Sequence, residues 1–428
     1  MIPICLYFQV HQPYRLRRYN YFDVGREHRY FDEPANTELL RRAARKCYLP
    51  ATQMLARLLE AHPSFAVSLS LSGCLIEQLA EWEPDALAAF RNLTESSGGR
   101  VELLAETSHH SLAWLASRDE FAAQVDAHRA LLGEALGYST PPRVFRNTEL
   151  IYSDALAAWL EERGFAGVLA DGVQQLLGPD ASHSHPHHLY RAATPAGLPL
   201  LLRDARLSDD IAFRFSQRAW SEWPLTAEKY DRWVSGLSGE ILSLFMDFET
   251  FGEHQWRETG IFEFFEEWVG RASGRGASFW TPSQAIARLE PRETLSAPRP
   301  ISWADEARDL SAWQGNDLQT DALRRLFALE SRVRDAASDE LRRDFRRLST
   351  SDHFYYMATA STGSHGRGLS SADAEVHAYF SPYESPYEAY IAYMHVLSDL
   401  ERRLRHGRTE TAAVESPAAR RPAPPVPA

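Results

Sequence analysis

The stretch ILSLFMDFETFGEHQW, residues 241–256, joins an apolar run to a dense group of acidic, aromatic and histidine side chains. Its first six residues predict a buried β-strand, because short apolar runs bounded by polar segments are typical of strands in α/β proteins. A strand end with a purely structural role more often carries turn residues than carboxylates. The sequence therefore predicts that Asp247 lies where a buried strand meets a functional loop.

Other short apolar runs occur before residue 300. They occupy residues 4–10, 64–70, 101–106, 143–145, 167–170 and 278–280. Segments with helical spacing lie between them, and Leu75, Leu79 and Trp82 form one example. Strands that alternate with helices predict βα units and a parallel sheet, and about seven such units with polar residues after several strands favour a barrel. In such a barrel the active site lies at the carboxyl ends of the strands.

The pattern becomes helical after about residue 300. Leu323, Leu326, Leu329 and Val333 predict a helical stretch that continues to residue 348, and residues 385–407 predict another long helix. The last residues are rich in Pro and Ala, a composition that cannot bury a core. The sequence thus predicts a catalytic barrel over 1–295, a helical domain over 296–407 that completes the active-site cleft, and a disordered tail over 408–428.

The composition argues against several classes of partner. The chain has 428 residues, of which 44% are hydrophobic, enough for a large core. Its 46 basic and 58 acidic residues give a net charge of −12, which disfavours nucleic acid and anionic membranes as partners. No run of roughly 18 apolar residues predicts a membrane span, and residues 1–13 lack the pattern of a signal peptide.

Cysteine usage indicates neither disulfides nor a zinc site. Cys5, Cys47 and Cys74 are few and widely spaced. Four histidines, His183, His185, His187 and His188, lie in a segment rich in Ser, Pro and Gly, which we interpret as a structural loop rather than a metal site. We therefore expect a cytoplasmic protein that needs neither a metal nor a cofactor.

Polar side chains follow several predicted strands. They are His11 and Gln12 after the first, Glu77 after the second, Glu106, His109, His110 and Trp114 after the third, Glu149 after the fourth, and Asp247, Glu249, His254 and Trp256 after the strand at 241–246. A single Glu after a strand is more often a helix cap or a surface group. Two acids that follow different strands of one sheet, with aromatic rings nearby, indicate instead the carboxylate pair of a glycoside hydrolase.

Five motifs in chain order resemble those of glycoside hydrolase family 57, a family of retaining enzymes that act on α-glucans. They are HQP at 11–13, SGCLIEQL at 72–79, FRNTELIYSD at 145–154, FMDFETFGEHQW at 245–256 and LSTSDHFYYM at 348–357. The segment SWADEARDLSAWQGN at 302–316 also resembles the amylase-type branch. The resemblance implies an incomplete seven-stranded (β/α) barrel followed by a helical bundle, with Glu149 as the nucleophile and Asp247 as the general acid/base.

The same resemblance implies the substrate and a set of binding residues. The substrate is an α-glucan such as starch, glycogen or a maltooligosaccharide. The predicted substrate-binding residues are His11, Glu77, His110, Trp114, Phe251, His254, Trp256, Asp352 and His353. One departure is Gln9, which stands where many members carry histidine. For Glu249, the alternation of a strand predicts a side chain that points behind the sheet.

The leading interpretation is an α-amylase-type hydrolase that cleaves α-1,4-glucosidic bonds by double displacement. A 4-α-glucanotransferase or a branching enzyme would use the same chemistry with a different acceptor. A catalytically weak glucan-binding or regulatory protein is disfavoured by the presence of both carboxylates, and a metal-dependent carbohydrate enzyme by the lack of a clear ligand triad. Oligomeric state cannot be read from the chain.

Overall fold

The computed structural model describes residues 1–178, 185–359 and 381–415, with side chains in the last segment described as far as Arg405. The β-strands are β1 (Ile4–Val10), β2 (Val67–Leu71), β3 (Val101–Leu103), β4 (Val144–Phe145), β5 (Gly167–Asp171), β6 (Leu189–Ala192), β7 (Pro199–Arg203), β8 (Leu242–Asp247) and β9 (Thr294–Leu295). The first predicted strand thus has the predicted bounds, and most of the others shift or shorten by one to three residues.

The strands form two sheets in which parallel pairing predominates. One sheet has the order β3-β2-β1-β8 and is parallel throughout. The other has the order β4-β5-β7-β6-β9, where β6 runs antiparallel to β7. In the first sheet Gln9 pairs with both Ser70 and Asp247, so the carboxyl ends of β1, β2 and β8 are level. The predicted α/β class with parallel strands is confirmed.

The two sheets meet at two places. Ala105, just after the edge strand β3, bridges Phe145 of the edge strand β4 in parallel register, and its carbonyl accepts a hydrogen bond of 2.8 Å from Arg146 N. At the other edge of the first sheet, Ser243 O of β8 accepts at 2.8 Å from Asp204 N, which lies just after the inner strand β7 of the second sheet. The carboxyl ends of the parallel strands therefore share one rim.

Some strand predictions were wrong. Residues 278–280 do not form a strand, because Phe279 makes only an isolated bridge with Ile4. Strands β6, β7 and β9 were missed, although the sequence PLLLR of β7 contains a short apolar run, the usual signal of a buried strand. β6 was missed because it follows the histidine-rich segment directly and its letters, LYRA, show neither alternation nor a long apolar run.

Helices surround the sheets and make up the C-terminal region. They are α1 (Glu33–Ala43), α2 (Leu49–Ala61), α3 (Gly73–Trp82), α4 (Pro84–Ser96), α5 (Ala113–Ala116), α6 (Arg118–Leu136), α7 (Asp154–Glu162), α8 (Gln174–Leu177), α9 (Ala205–Ala212), α10 (Ala227–Ser235), α11 (Ile261–Gly274), α12 (Pro282–Arg288), α13 (Ser311–Gln314), α14 (Asp317–Phe327), α15 (Glu330–Asp335), α16 (Asp339–Leu348), α17 (Ser351–Tyr355) and α18 (Pro386–Glu415). A π-helical turn, Ala44–Tyr48, joins α1 to α2, and 3-10 turns follow β4 (Thr148–Leu150) and β8 (Phe248–Thr250).

Two C-terminal predictions need correction. The helix predicted through residue 348 is divided into α14, α15 and α16, because Ala336 adopts an extended conformation and Ser338 caps α16 by accepting from Leu341 N. The last helix extends to Glu415, beyond the end that the sequence predicted for it at residue 407. The remainder of the predicted tail, 416–428, lies outside the described residues.

The alternation of side chains along β1 explains why this strand is apolar throughout. Leu6 and Phe8 face the layer of helices outside the sheet. Cys5 and Tyr7 face the opposite side, where they pack with Phe245 of β8 in a separate cluster between the sheets. A strand buried on both faces has no position at which a polar residue could meet water, so its polar residues are confined to its end.

Candidate active site

A cleft of ≈ 570 Å³ opens at the rim where the parallel strands end. Residues that follow β1, β3, β4, β7 and β8 line it, together with the segment around Trp303 and residues of α17. Six residues predicted from the sequence to belong to the site lie in this lining: Glu149, Asp247, His11, His110, His254 and Asp352.

The carboxylate of Glu149 is held by two donors. Glu149 lies in the 3-10 turn after β4, with a backbone φ of 56° that residues other than glycine rarely adopt. Its Oε1 is 3.0 Å from His110 Nε2, and Trp303 Nε1 donates to its Oε2 at 2.7 Å. Burial alone would raise the pKa of Glu149, but the hydrogen bond and charge of His110 lower it to about 2. Glu149 is therefore a carboxylate at any physiological pH.

His110 connects Glu149 to a second, fully buried carboxylate. Its Nδ1 lies 3.1 Å from Glu106 Oε2, and its backbone has a positive φ of 48°. Burial alone would lower the pKa of His110, but hydrogen bonds to Glu106 and Glu149 raise it to about 9. The ring also stacks on His11, with centroids 4.2 Å apart.

Asp247 has the opposite protonation behaviour to Glu149. It ends β8, beside Gln9 of β1. Burial, reinforced by the negative charge of Glu149, raises the pKa of Asp247 to about 6. Two carboxyl groups of one cleft thus differ strongly in acidity, and such a difference separates an acid from a nucleophile in glycoside hydrolysis.

His11 is oriented from both sides. Its Nε2 lies 3.1 Å from Asp352 Oδ2 on α17, and its Nδ1 lies 2.7 Å from the hydroxyl of Ser72. Burial lowers the pKa of His11, which fits a neutral ring that donates to Asp352 and accepts from Ser72. Because Asp352 comes from the C-terminal region, one wall of the cleft is completed by that region.

Glu249 corrects one prediction. It lines the cleft instead of pointing behind the sheet, because the 3-10 turn Phe248–Thr250 ends the alternation of β8. Tyr48 donates to its Oε1 at 2.7 Å. Burial, reinforced by the charge of Asp247, raises the pKa of Glu249 to about 8.

Three aromatic or histidine side chains of the predicted site lie elsewhere in the fold. Trp114 is buried against Phe121, and Phe251 packs its ring on Phe8. His353, although next to Asp352 in sequence, is buried, and its Nε2 lies 3.1 Å from the Arg347 carbonyl. None of the three is among the residues that line the cleft.

Glu77 and Trp256 also lie outside the cleft lining. Glu77 of α3 accepts from Arg347 of α16 at 3.2 Å and from Tyr14 at 3.4 Å, so its carboxylate links α3 to the C-terminal helices. Trp256 is 64% exposed, with Lys46 near its ring.

Trp303 and the residues that hold its loop were not assigned to the site from sequence. Arg308 lies 3.4 Å from carboxylate oxygens of both Asp171 and Asp209, and Arg203 is paired with the same two acids. This network fixes the loop on the rim so that Trp303 reaches Glu149. The sequence did carry a signal for this loop, the resemblance of residues 302–316 to the amylase-type branch, but that resemblance did not indicate which side chains take part.

The histidine-rich segment makes hydrogen-bonding contacts with acidic side chains. His187 Nε2 lies 2.8 Å from Asp204, and His188 Nδ1 lies 3.0 Å from Glu240. His183 lies outside the described residues. Within the described segments no cluster of three or more His, Cys, Asp or Glu side chains has the arrangement of a metal site. A helix with the length and apolar character to cross a membrane is likewise not found among those described.

Comparisons with known proteins agree with this geometry. A model of the family described as "Glycosyl hydrolase family 57" matches residues 5–298. A protein of Methanocaldococcus jannaschii named "Putative alpha-amylase" is 37% identical over 407 residues, which cover 92% of this chain and 83% of that protein.

Two solved structures share the fold. The family 57 branching enzyme of Thermococcus kodakaraensis has a TM-score of 0.68 at 15% identity, and the match covers 97% of this chain and 91% of that one. The 4-alpha-glucanotransferase of Thermococcus litoralis has a TM-score of 0.60 at 16% identity. That match covers 83% of this chain, which spans only 56% of the transferase.

Proposed function

Because this chain belongs to glycosyl hydrolase family 57 and is a glycoside hydrolase, we propose that it cleaves α-1,4-glucosidic bonds of α-glucans with retention of configuration. The observation that carries the proposal is the pair of carboxyl groups, Glu149 and Asp247, that line one cleft in different surroundings. Glu149 is held ionised by His110, and burial raises the pKa of Asp247 to about 6. The name of the M. jannaschii relative supports an amylase-type activity.

The reaction would proceed in two displacements. In the first, a Glu149 carboxylate oxygen attacks the anomeric carbon while Asp247 gives its proton to the departing glycosidic oxygen, which leaves as the free hydroxyl of the cleaved chain. In the second, Asp247 removes a proton from water, and the water oxygen displaces Glu149 from the anomeric carbon. Asp247 ends in its starting protonation state, and the product keeps the α configuration.

The surrounding residues would bind and orient the sugar. His11, His110, His254 and Asp352 line the cleft, which supports their role at the scissile residue. Glu77, Trp114, Phe251 and His353 were also expected to contribute, but their contacts support structural roles instead. Trp256 was expected to contribute as well, and it lies exposed outside the cleft lining. Both catalytic steps are supplied by carboxyl groups, so the proposed reaction requires neither a metal nor a cofactor.

We also propose a more detailed architecture. The contacts between β3 and β4 and between β7 and β8 support an incomplete barrel of seven parallel strands, β8-β1-β2-β3-β4-β5-β7. The pairing of Asp352 with His11 supports a C-terminal helical domain that completes the cleft. Three free, buried cysteines fit a reducing compartment, so we propose a cytoplasmic enzyme.

Incubation with maltoheptaose, followed by product analysis, tests the proposed activity. Shorter products alone indicate hydrolysis, as we expect. Products longer than the substrate would identify a 4-α-glucanotransferase, and new 1,6 linkages a branching enzyme. An unchanged substrate that nevertheless binds would identify a glucan-binding protein and contradict the proposal.

The anomeric form of the first product tests the mechanism separately. Proton NMR read before mutarotation should show the α form at the new reducing end. A first-formed β product would contradict double displacement. Retaining enzymes also hold their carboxyl groups about 5–5.5 Å apart, a separation that a crystal structure with bound glucan should show between Glu149 and Asp247.

A further inference from the structure

We propose that Glu106 is a positioning residue of the active site, which holds His110 as an imidazolium ion so that this ring donates a charged hydrogen bond to Glu149. The proposal rests on the function proposed above, because it concerns the state of the nucleophile. It assigns a role to a buried carboxylate that the two-step reaction does not itself use.

The partners of Glu106 indicate an ionised carboxylate. Its side chain is 0% exposed. Oε1 accepts from the Ser70 hydroxyl at 2.6 Å and from Gln9 Nε2 at 3.3 Å, and Oε2 faces His110 Nδ1 at 3.1 Å. Hydroxyl, amide and imidazole donors on a buried carboxyl group favour its charged form, because each stabilises negative charge.

The charged groups that face His110 decide its protonation. Glu106 and Glu149 contact its two nitrogens, at 3.1 and 3.0 Å. Arg146 Nη1 lies 3.3 Å from Nδ1, and His11 stacks on the ring. Arg146 disfavours a proton on His110 Nδ1, because its guanidinium could itself donate a hydrogen bond to an unprotonated Nδ1. The shorter contact with Glu106 outweighs it, because an unprotonated Nδ1 would direct its lone pair at a carboxylate.

A doubly protonated His110 has a use in each displacement. In the free enzyme it keeps Glu149 ionised and ready to attack. In the second step Glu149 is the leaving group, and the imidazolium stabilises the negative charge that returns to Oε1. Glu106 contributes by compensating the positive charge of His110 inside the protein, where an unpaired cation is costly.

Spectroscopy tests the protonation state without relying on activity. In proton–nitrogen correlation spectra of histidine-labelled protein, the His110 signal is assigned by its loss in His110→Gln. We expect both ring nitrogens to carry protons at pH 7 in the parent protein. In Glu106→Gln the pKa of His110 should fall by ~1–3 units, the usual effect of a contacting opposite charge. Glu106→Asp keeps the charge and should restore most of the shift.

A buried carboxyl group four residues earlier in the chain provides the control. Glu102 of β3 is 8% exposed and accepts from Ser283, away from His110. Glu102→Gln replaces a buried carboxyl group by an amide as Glu106→Gln does, so it reproduces any general loss of stability. It should leave the titration of His110 unchanged.

Kinetics provide the second readout. An aryl maltooligosaccharide with a good leaving group needs little protonation by Asp247, so the alkaline limb of kcat/KM should report His110. We expect this limb near the pKa of His110, about 9, in the parent and in Glu102→Gln. In Glu106→Gln it should move down by ~1–3 pH units, with activity recovered at lower pH.

The outcomes separate the two proposals. A parent protein without activity on any glucan would contradict the proposed function, and the spectra would still show whether Glu106 controls His110. A neutral His110 at pH 7 in the parent would overturn the inference even if Glu106→Gln does not fold. The inference would also be overturned by equal His110 titrations in the parent and in Glu106→Gln, or by an equal shift in Glu102→Gln.

Discussion

Glu149 and Leu150 both have positive φ, 56° and 49°, in the short turn that follows β4. A non-glycine residue in this region costs of order 1–3 kcal/mol, and such strain is retained mostly at functional sites. The strain here directs the carboxylate toward His110 and Trp303. The backbone of the site is therefore built around the position of one carboxyl group.

Replacement of the proposed nucleophile should stop the reaction. We expect Glu149→Gln to lose about 10,000-fold or more in kcat, because it removes the group that forms the covalent intermediate. Binding of maltoheptaose, measured by calorimetry, should persist. A variant whose kcat stays within tenfold of the parent would contradict the assignment.

The proposed acid role of Asp247 predicts how the activity depends on pH. Burial raises the pKa of Asp247 to about 6, and the reaction needs its protonated form, so kcat/KM for maltoheptaose should fall as the pH rises through about 6. Asp247→Asn should lose most activity on maltoheptaose but retain part of the glycosylation rate of an aryl substrate. Equal losses on both substrates in single-turnover assays would contradict its role as the acid.

The sequence located the centre of the candidate site better than its periphery. Glu149, Asp247 and His11 were found because polar residues at the ends of parallel strands share a rim. Phe251 was misjudged, since a motif gives proximity along the chain and the 3-10 turn directs this ring into the core. Trp303 was missed because its contact with Glu149 spans 154 residues, which local patterns do not report.

At the scale of elements, the loop around Trp303 is held firmly against the rim. It is fixed by Arg308, which reaches Asp171 and Asp209 from two other elements. A loop held by ion pairs at its end and by an indole hydrogen bond at its start has little freedom to move away from Glu149.

Removal of the indole donor measures how much the hydrogen bond between Trp303 and Glu149 contributes to activity. Trp303→Phe keeps an aromatic ring but loses the hydrogen bond to Glu149, and hydrogen bonds to charged groups contribute about 1.5–3 kcal/mol. We expect kcat/KM to fall by roughly 10–100-fold. Trp233→Phe, outside the cleft, is the matched control, and an equal loss in both variants would show that the effect is not local.

At the scale of the whole molecule, the last helix is tied to the N-terminal segment through Asp399. This buried carboxylate of α18 accepts from Tyr30 and His28 at 2.7 Å each, and from Gly25 N at 2.6 Å. These three donors lie about 370 residues away along the chain. Asp399 thereby fixes the last helix against the N-terminal segment.

Loss of this anchor should lower stability. We expect Asp399→Ala to reduce the free energy of unfolding by about 3–5 kcal/mol, because it leaves buried donors without an acceptor. Glu401→Gln on the same helix removes a more exposed pair with Arg332 and should cost no more than about 1 kcal/mol. Urea unfolding of both variants compares them, and equal midpoints would contradict the anchor.

The class of fold followed from sequence because buried parallel strands appear as short apolar runs that alternate with segments of helical spacing. The long-range contacts of the last helix did not follow in the same way. Asp399 is an acidic residue inside a helix, and nothing in its sequence neighbourhood indicates which distant segment it contacts. Its partners became visible only when the N-terminal segment and the last helix were brought together in space.

His11 and Asp352, which meet in the cleft, are separated by 341 residues. A ribosome synthesises the chain in order, so the wall formed by His11 remains incomplete until most of the polypeptide has emerged. Closing such a long segment is entropically unfavourable before other contacts exist, and larger chains pass through intermediates. Nascent chains should thus carry an inactive, half-formed cleft, and the ability to cut polysaccharide should arise late, when the terminal helices dock.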